Sequence, residues 1–343
     1  MIYYSLRRLF LLVITLWLLT IFIFLLNYLF PGDPLTNMTG IRAGDEFAYN
    51  IARQAYAFDQ SIFTQYWHFL EHLLSGNWGQ SLVTQRPVFD DILPLLGATL
   101  ELSILAMLIS LVFGVSLGLY AALNLHRPAD TIIMGISLSA YSVPVFWLAQ
   151  LLILLFAVKL GWTPISSQIN PLFDIDVVTG SILTDIVLSD VPYRAAAFAD
   201  ALNHLWLPVI VLAVMPLTML IRITRDAMLD VLQKNYIRAA RARGLSEARI
   251  MLRHGLPNAM QPVVRQLGLQ FSILMSNIII AEMIFNWPGI GSWLVKSIYE
   301  RDYPVLQGGL LTLAALILLV NVLVELFHAW HYPQVRKELY AER

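Results

Sequence analysis

Apolar residues fall in six long runs, separated by polar or basic stretches. A helix needs about 20 apolar residues to cross the hydrocarbon core of a bilayer. The runs are Leu9–Phe30, Gly97–Asn124, Thr131–Val158, Leu205–Ile221, Gln266–Phe285 and Val305–Trp330, and each predicts a spanning helix. The fourth is short and interrupted by Pro208 and Pro216. Residues 31–95 are too polar to span and predict a small extramembrane lobe of short helices. His126-Arg127-Pro128 predicts a tight turn, as does Trp287-Pro288-Gly289-Ile290-Gly291. Residues 159–204, with Pro164, Pro171 and Pro192, predict a second extramembrane segment.

Composition supports this pattern. The 343 residues are 58% hydrophobic and 13% charged, with a mean hydropathy of +0.68. A soluble chain carries about 25% charge, so the class is an all-α integral membrane protein. Without cysteine, disulfides, thiolate chemistry and Cys-bound metals are excluded. Arg7-Arg8 before an apolar run faintly suggests an export signal. The run to Phe30 outlasts the ~7–15 residues of a signal's apolar region, and no small-x-small site follows it. It reads as a retained span.

Charge sets orientation. With the N-terminus inside, fifteen of the 22 Lys and Arg lie in cytoplasmic segments and seven outside. The positive-inside rule therefore favours six spans with both termini cytoplasmic. The predicted organisation is an N-terminal segment and first span (1–30), a periplasmic segment (31–95), a transmembrane core (96–330) and a cytoplasmic tail (331–343). The core carries a basic loop at 222–265. No internal repeat is evident, which argues mildly against a secondary carrier.

The basic loop is the most informative stretch. In Asn235–Val263, Ala239, Ala240 and Ala242 favour helix, and Gly244 permits a positive φ. Ser246 is placed to begin a second helix, with Glu247 in its first turn. Pro257 predicts a stop or kink. Helix, glycine turn, helix makes a compact object that fits a groove on another protein. Lipid phosphates are an equally simple partner for such charge.

The spacing narrows the choice. Ala239-Ala240, Gly244 and His254-Gly255-Leu256-Pro257 together resemble the EAA loop of ABC importer membrane subunits. Tyr236–Leu245, Leu6-Arg7-Arg8-Leu9, Val143–Leu148 and Glu282–Gly291 are similar to the peptide/nickel-type permeases, the Dpp/Opp branch. The opening and Leu267–Ser272 are most similar to its Sap-type members. Arg238 stands where the motif has glutamate, and His254 where it has an apolar residue. The resemblance implies the type I importer permease fold and a place in the bacterial inner membrane. It implies a second homologous permease, two cytoplasmic ATPases that hold ATP and Mg, and a periplasmic substrate-binding protein. It implies an ATPase contact through Arg238, Ala239, Ala240, Arg243, Gly244, Leu256 and Pro257. Peptides, cationic ones included, are the implied substrates, and putrescine export fits a Sap-type relative.

No G-x-x-x-x-G-K-[ST] occurs, so this chain has no P-loop of its own. Nothing marks it as an enzyme, a cofactor carrier or a nucleic-acid binder. His328 and His331 lack a convincing set of metal partners. Polar residues within the spans should face protein or water, since a charge in lipid costs ~2.5–3.5 kcal/mol even on the lenient scale. Glu101, Gln270, Asn277 and Glu282 are candidates for the substrate pathway, with interhelical hydrogen bonding as the simpler role. Gly114 and Gly118 predict a close helix-packing face. The outer segments hold fourteen acidic against seven basic residues, a charge that favours cations. A stand-alone carrier or channel, and a structural subunit without a pathway, remain rival classes.

Overall fold

The computed structural model describes residues 2–332; most of the expected tail lies outside them. In chain order the helices are α1 (Ile2–Leu29), α2 (Pro34–Thr39), α3 (Glu46–Ala55), α4 (Ile62–Leu74), α5 (Val88–Leu123), α6 (Pro128–Tyr141) and α7 (Val145–Leu152). There follow α8 (Ile182–Leu188), α9 (Arg194–Leu232), α10 (Asn235–Ala242), α11 (Glu247–Ile250), α12 (Leu256–Ile284), α13 (Ile290–Glu300) and α14 (Tyr303–His331). Wider π-helical segments cover Ile153–Lys159 and Met251–Gly255. Among the described residues the fold is all-α.

Five helical stretches are long and apolar enough to span, and the bent pair α6 and α7 brings the number to six. The third predicted span is therefore not one rod. It breaks by 104° between Tyr141 and Val145. Pro144 is the cause, because the residue before a proline is driven away from helical geometry.

The fourth span differs most from expectation. Instead of Leu205–Ile221, α9 runs for 39 residues and keeps both Pro208 and Pro216 inside it. Two-thirds of its apolar window is buried, against 17% for α1 and for α14. It is the central post, and neighbouring helices can satisfy the backbone groups that proline frees. A contact from α5 reaches this stretch: Ser110 Oγ donates to the Ala213 carbonyl at 2.9 Å, three residues before Pro216.

Against this post lies α5. A Cβ on Gly114 would stand 2.7 Å from Leu220 Cβ, and one on Gly118 would stand 2.6 Å from the Ile221 carbonyl. The small-xxx-small face does bring two backbones together. The same stretch, Gly114-Val115-Ser116-Leu117-Gly118, spells G-x-S-x-G. It is not a nucleophile elbow, which needs a strand-to-helix turn. Ser116 is in mid-helix and donates to the Val112 carbonyl at 2.7 Å.

The outer segments are tied down by buried carboxylates. Asp302, 2% exposed, accepts from Ser81 Oγ at 2.5 Å and from the Leu82 amide at 3.0 Å, joining the lobe to the start of α14. Asp185 gathers the amides of Val178, Thr179 and Gly180. Gly180 then passes so close to α5 that a Cβ would meet the Pro94 carbonyl at 1.7 Å.

Candidate functional site

The basic segment is shorter than expected. Arg222 and Arg225 belong to α9 and Arg265 to α12, leaving residues 233–255 between those two helices. Lys234 opens α10, whose inner face carries Ile237 and Ala240. These pack with Met228, Val231, Ile250 and Ala259 in a small apolar cluster under the helix. Gly244 follows at φ +76°, a left-handed backbone that favours glycine. Arg241 closes the turn, meeting both Glu247 oxygens at 2.8 and 3.1 Å.

Ser246 does occupy the start of α11, but its side chain makes no capping bond. Pro257 neither stops nor kinks the chain. It sits in the first turn of α12, where its missing N–H would be unpaired anyway. From Glu247 to Ile284 the chain is one helical stretch of 38 residues, widened at Met251–Gly255. Gly255 packs closely there: a Cβ would stand 2.6 Å from Met228 Cε, the movable end of that side chain.

The two alanines of the motif part company. Ala239 is exposed and Ala240 is 8% exposed, facing the cluster. Ala239, Ala242, Gly244 and Leu252 are exposed, the last 65%, as are Arg238, Arg243 and Arg249. No atom lies within 4 Å of a Cβ built on Gly244. Leu256 is half-buried, Pro257 exposed and His254 half-buried. Exposed small and apolar residues among guanidinium groups suit a protein groove with acidic margins.

Helix α9 also carries an ion pair that spacing alone could not reveal. Arg225 Nε and Nη2 meet the two Asp130 oxygens at 2.6 and 2.8 Å. The side chains are 19% and 7% exposed. This bidentate pair fastens the start of α6 to the inner end of α9.

The four polar candidates fall into two kinds. Glu282 and Glu101 hold outer turns. Glu282 is fully buried; Oε1 accepts from Thr99 Oγ1 at 2.6 Å and Oε2 from the Ser292 amide at 2.9 Å. Its carboxylate lies at the N-terminus of α13, where the helix dipole favours negative charge. A Cβ on Gly289 would be 2.0 Å from Oε1, so glycine makes room for the acid. Trp287 Nε1 donates to the Ala98 carbonyl at 3.1 Å, and the Ile290 amide to Thr99 Oγ1 at 2.9 Å. Glu101 accepts from Ser181 Oγ and from the amides of Ile182 and Leu183 at 2.8, 3.1 and 2.9 Å.

Gln270 and Asn277 are different. Gln270 is 2% exposed, and its Nε2 has no hydrogen-bond partner. Asn277 donates within its own helix to the Ile273 carbonyl at 2.9 Å. Both lie on α12, so they share a helix with the Glu282 lock and join continuously to the basic segment. His328 is buried, while His331 stacks on Phe327 at 5.9 Å.

Comparisons with known proteins agree across the whole chain. The family described as "Binding-protein-dependent transport system inner membrane component" matches residues 114–337, and its N-terminal companion matches 1–103. The di/tripeptide transport system permease DppB of Pseudomonas aeruginosa is 43% identical, over 97% of this chain and 98% of its own length. The putrescine export system permease SapB of Escherichia coli is 36% identical over the full length of both chains. Among solved structures, a chain of the inward-facing MetNI methionine ABC transporter aligns at 16% identity with a TM-score of 0.48. It covers 68% of this chain and 93% of that one.

Proposed function

The chain belongs to the family of binding-protein-dependent transport system inner membrane components, and from that premise we propose that it forms, with a second homologous permease, the membrane pathway for short peptides. It is a multi-pass permease subunit of a bacterial inner-membrane ABC transporter, not an enzyme. Membership brings ATPase and substrate-binding partners in general. The finer assembly is our reading: two cytoplasmic ATPases that hold ATP and Mg, and a periplasmic protein that delivers peptide.

The observation that carries the substrate class is the 43% identity to a di/tripeptide permease, above the 36% to the SapB relative. Coupling is assigned to Ala239, Ala242, Gly244 and Leu252 as the seat for an ATPase, with Arg238 and Arg243 at its margins. Ala240, Leu256 and Pro257 hold that seat to the bundle. Gln270 and Asn277 are proposed pathway residues, because one has an unpaired amide donor and the other is only half-buried. Glu101 and Glu282 act on the pathway from its outer turns.

The test is flux in proteoliposomes that hold the whole complex with its ATPases facing outward. A labelled dipeptide, a cationic peptide and putrescine are offered outside or preloaded. ATP-dependent loss of preloaded dipeptide, dependent on the binding protein inside, is expected. Accumulation of putrescine alone would move the assignment to polyamine export. Gly244→Asp should abolish co-purification of the ATPases; transport by the permease alone would end the ABC reading of this loop.

A further inference from the structure

Two helices give a scale of depth. Arg8 Nε lies 3.0 Å from Glu325 Oε2 and marks the inner end of both α1 and α14. Thirty ångströms of hydrocarbon is about 20 residues of helix at ~1.5 Å each. Counted outward, that distance ends at Tyr28 on α1 and at Val305 on α14. Just beyond, Phe30 stacks on Tyr303 at 4.6 Å, an aromatic pair suited to the outer interface. Both helices therefore place the outer boundary at one level.

The lobe does not stay above it. Tyr66 of α4 shares a 2.9 Å hydrogen bond with Thr20, about 12 Å below Tyr28 by helix rise. Phe69 packs on Phe24 at 5.5 Å. Leu73 and Trp78 line a small cavity with Ile23, Gly308 and Leu311, and Leu311 is about 9 Å below Val305 by the same measure. Gln65, at the upper end, spends its amide on the Phe58 and Gln60 carbonyls and its oxygen on the Tyr28 hydroxyl.

The other side of α4 is bare. Phe63 is 83%, Trp67 66% and Leu74 80% exposed. With half-buried Leu70 they recur at helical spacing and form one stripe. Thr64, His68 and Glu71 make a separate polar wedge, where His68 Nδ1 meets Glu71 Oε2 at 3.5 Å. Such segregation is what a helix at a membrane interface requires.

We infer that α4 lies within the outer leaflet, with Phe63, Trp67, Leu70 and Leu74 among phospholipid acyl chains and Glu71 at the headgroups. Residues 31–95 are then partly a membrane element, and the lipid anchors the lobe independently of what the permease carries.

The chain has no cysteine among its residues, so single-site spin labels report cleanly once the cysteines of the partner subunits are replaced. Phe63→Cys, Trp67→Cys, Leu74→Cys and Glu71→Cys are labelled in the complete complex in phospholipid nanodiscs, keeping variants that retain the ATPase rate. Collision with oxygen should exceed collision with a water-soluble nickel chelate at 63, 67 and 74, and the order should reverse at 71. Nickel access at all four sites would overturn the inference in favour of a water-facing helix. Protection from both reagents at 63, 67 and 74 would overturn it in favour of cover by the second permease. Independently, Trp67→Phe should remove part of the tryptophan emission quenched by acyl-brominated lipid; an unchanged quenched fraction would also overturn it.

Discussion

Glu282 and Thr99 join α12 to α5 across the outer end of the bundle, the carboxylate accepting from the threonine hydroxyl at 2.6 Å. Every polar atom in that corner has a job: Thr99 also receives the Ile290 amide, and Ser292 donates its amide to the acid. Replacing Glu282 by Gln puts an amide donor where two donors already converge. A buried group left unsatisfied costs about 1–3 kcal/mol. Glu282→Gln should lower the melting temperature of the purified complex, and Gly289→Ala should do so through a clash with Oε1. Unchanged melting in both would deny the lock.

The helix pair α5 and α9 offers a second measurement. Gly118→Ala places a methyl 2.6 Å from the Ile221 carbonyl, whereas Gly135 has open space around its Cβ position. Overpacking costs about 1–3 kcal/mol. Gly118→Ala should therefore destabilise the complex, and Gly135→Ala should leave it unaltered or slightly firmer. Chemical denaturation in detergent would compare them directly.

For the Arg225–Asp130 pair, removing one partner strands the other. Arg225→Ala should cost about 3–5 kcal/mol, while a well-packed apolar replacement of both residues should recover most of it. A double-mutant cycle with Arg225→Met and Asp130→Leu reads this as a coupling energy; strictly additive effects would show that the contact carries no weight.

Ala239 and Ala240 are neighbours with opposite duties. Ala240→Gln forces a long polar chain into the cluster around Met228 and Ile250, so it should lower stability by about 1–3 kcal/mol. Ala239→Gln meets no such wall. It should leave melting unaltered yet reduce ATPase co-purification and peptide-stimulated ATP hydrolysis. Equal effects on both readouts by both variants would mean that the helix is turned differently on its partner.

Much of this was legible in the residues. Long apolar runs can only be satisfied as buried or lipid-facing helices, so five spans and their order were readable. Arg7 through Leu9 and the Ala239–Gly244 spacing carried the family. Local patterning could not reveal what depends on three-dimensional neighbours. Pro208 and Pro216 looked like breaks because a proline is judged by its own backbone, and α9 is held by helices around it. Asp130 and Arg225 are separated by most of two spans. The polar content of residues 31–95 hid α4, since its Phe63–Leu74 stripe is short and interleaved with Thr64, His68 and Glu71. Gln270 was visible only as a polar residue in an apolar run; that Nε2 goes unpaired is a fact of its surroundings.

The unbroken stretch from Glu247 to Ile284 has a mechanical meaning. A rod of that length is about 57 Å long, so each degree of tilt about its centre carries either tip through about half an ångström. Glu247, paired with Arg241, is at one tip and the Glu282 corner near the other. If an ATPase seats on the basic segment as proposed, a swing of a few degrees at that tip is of the same size as the hydrogen bonds that close the Glu282 corner.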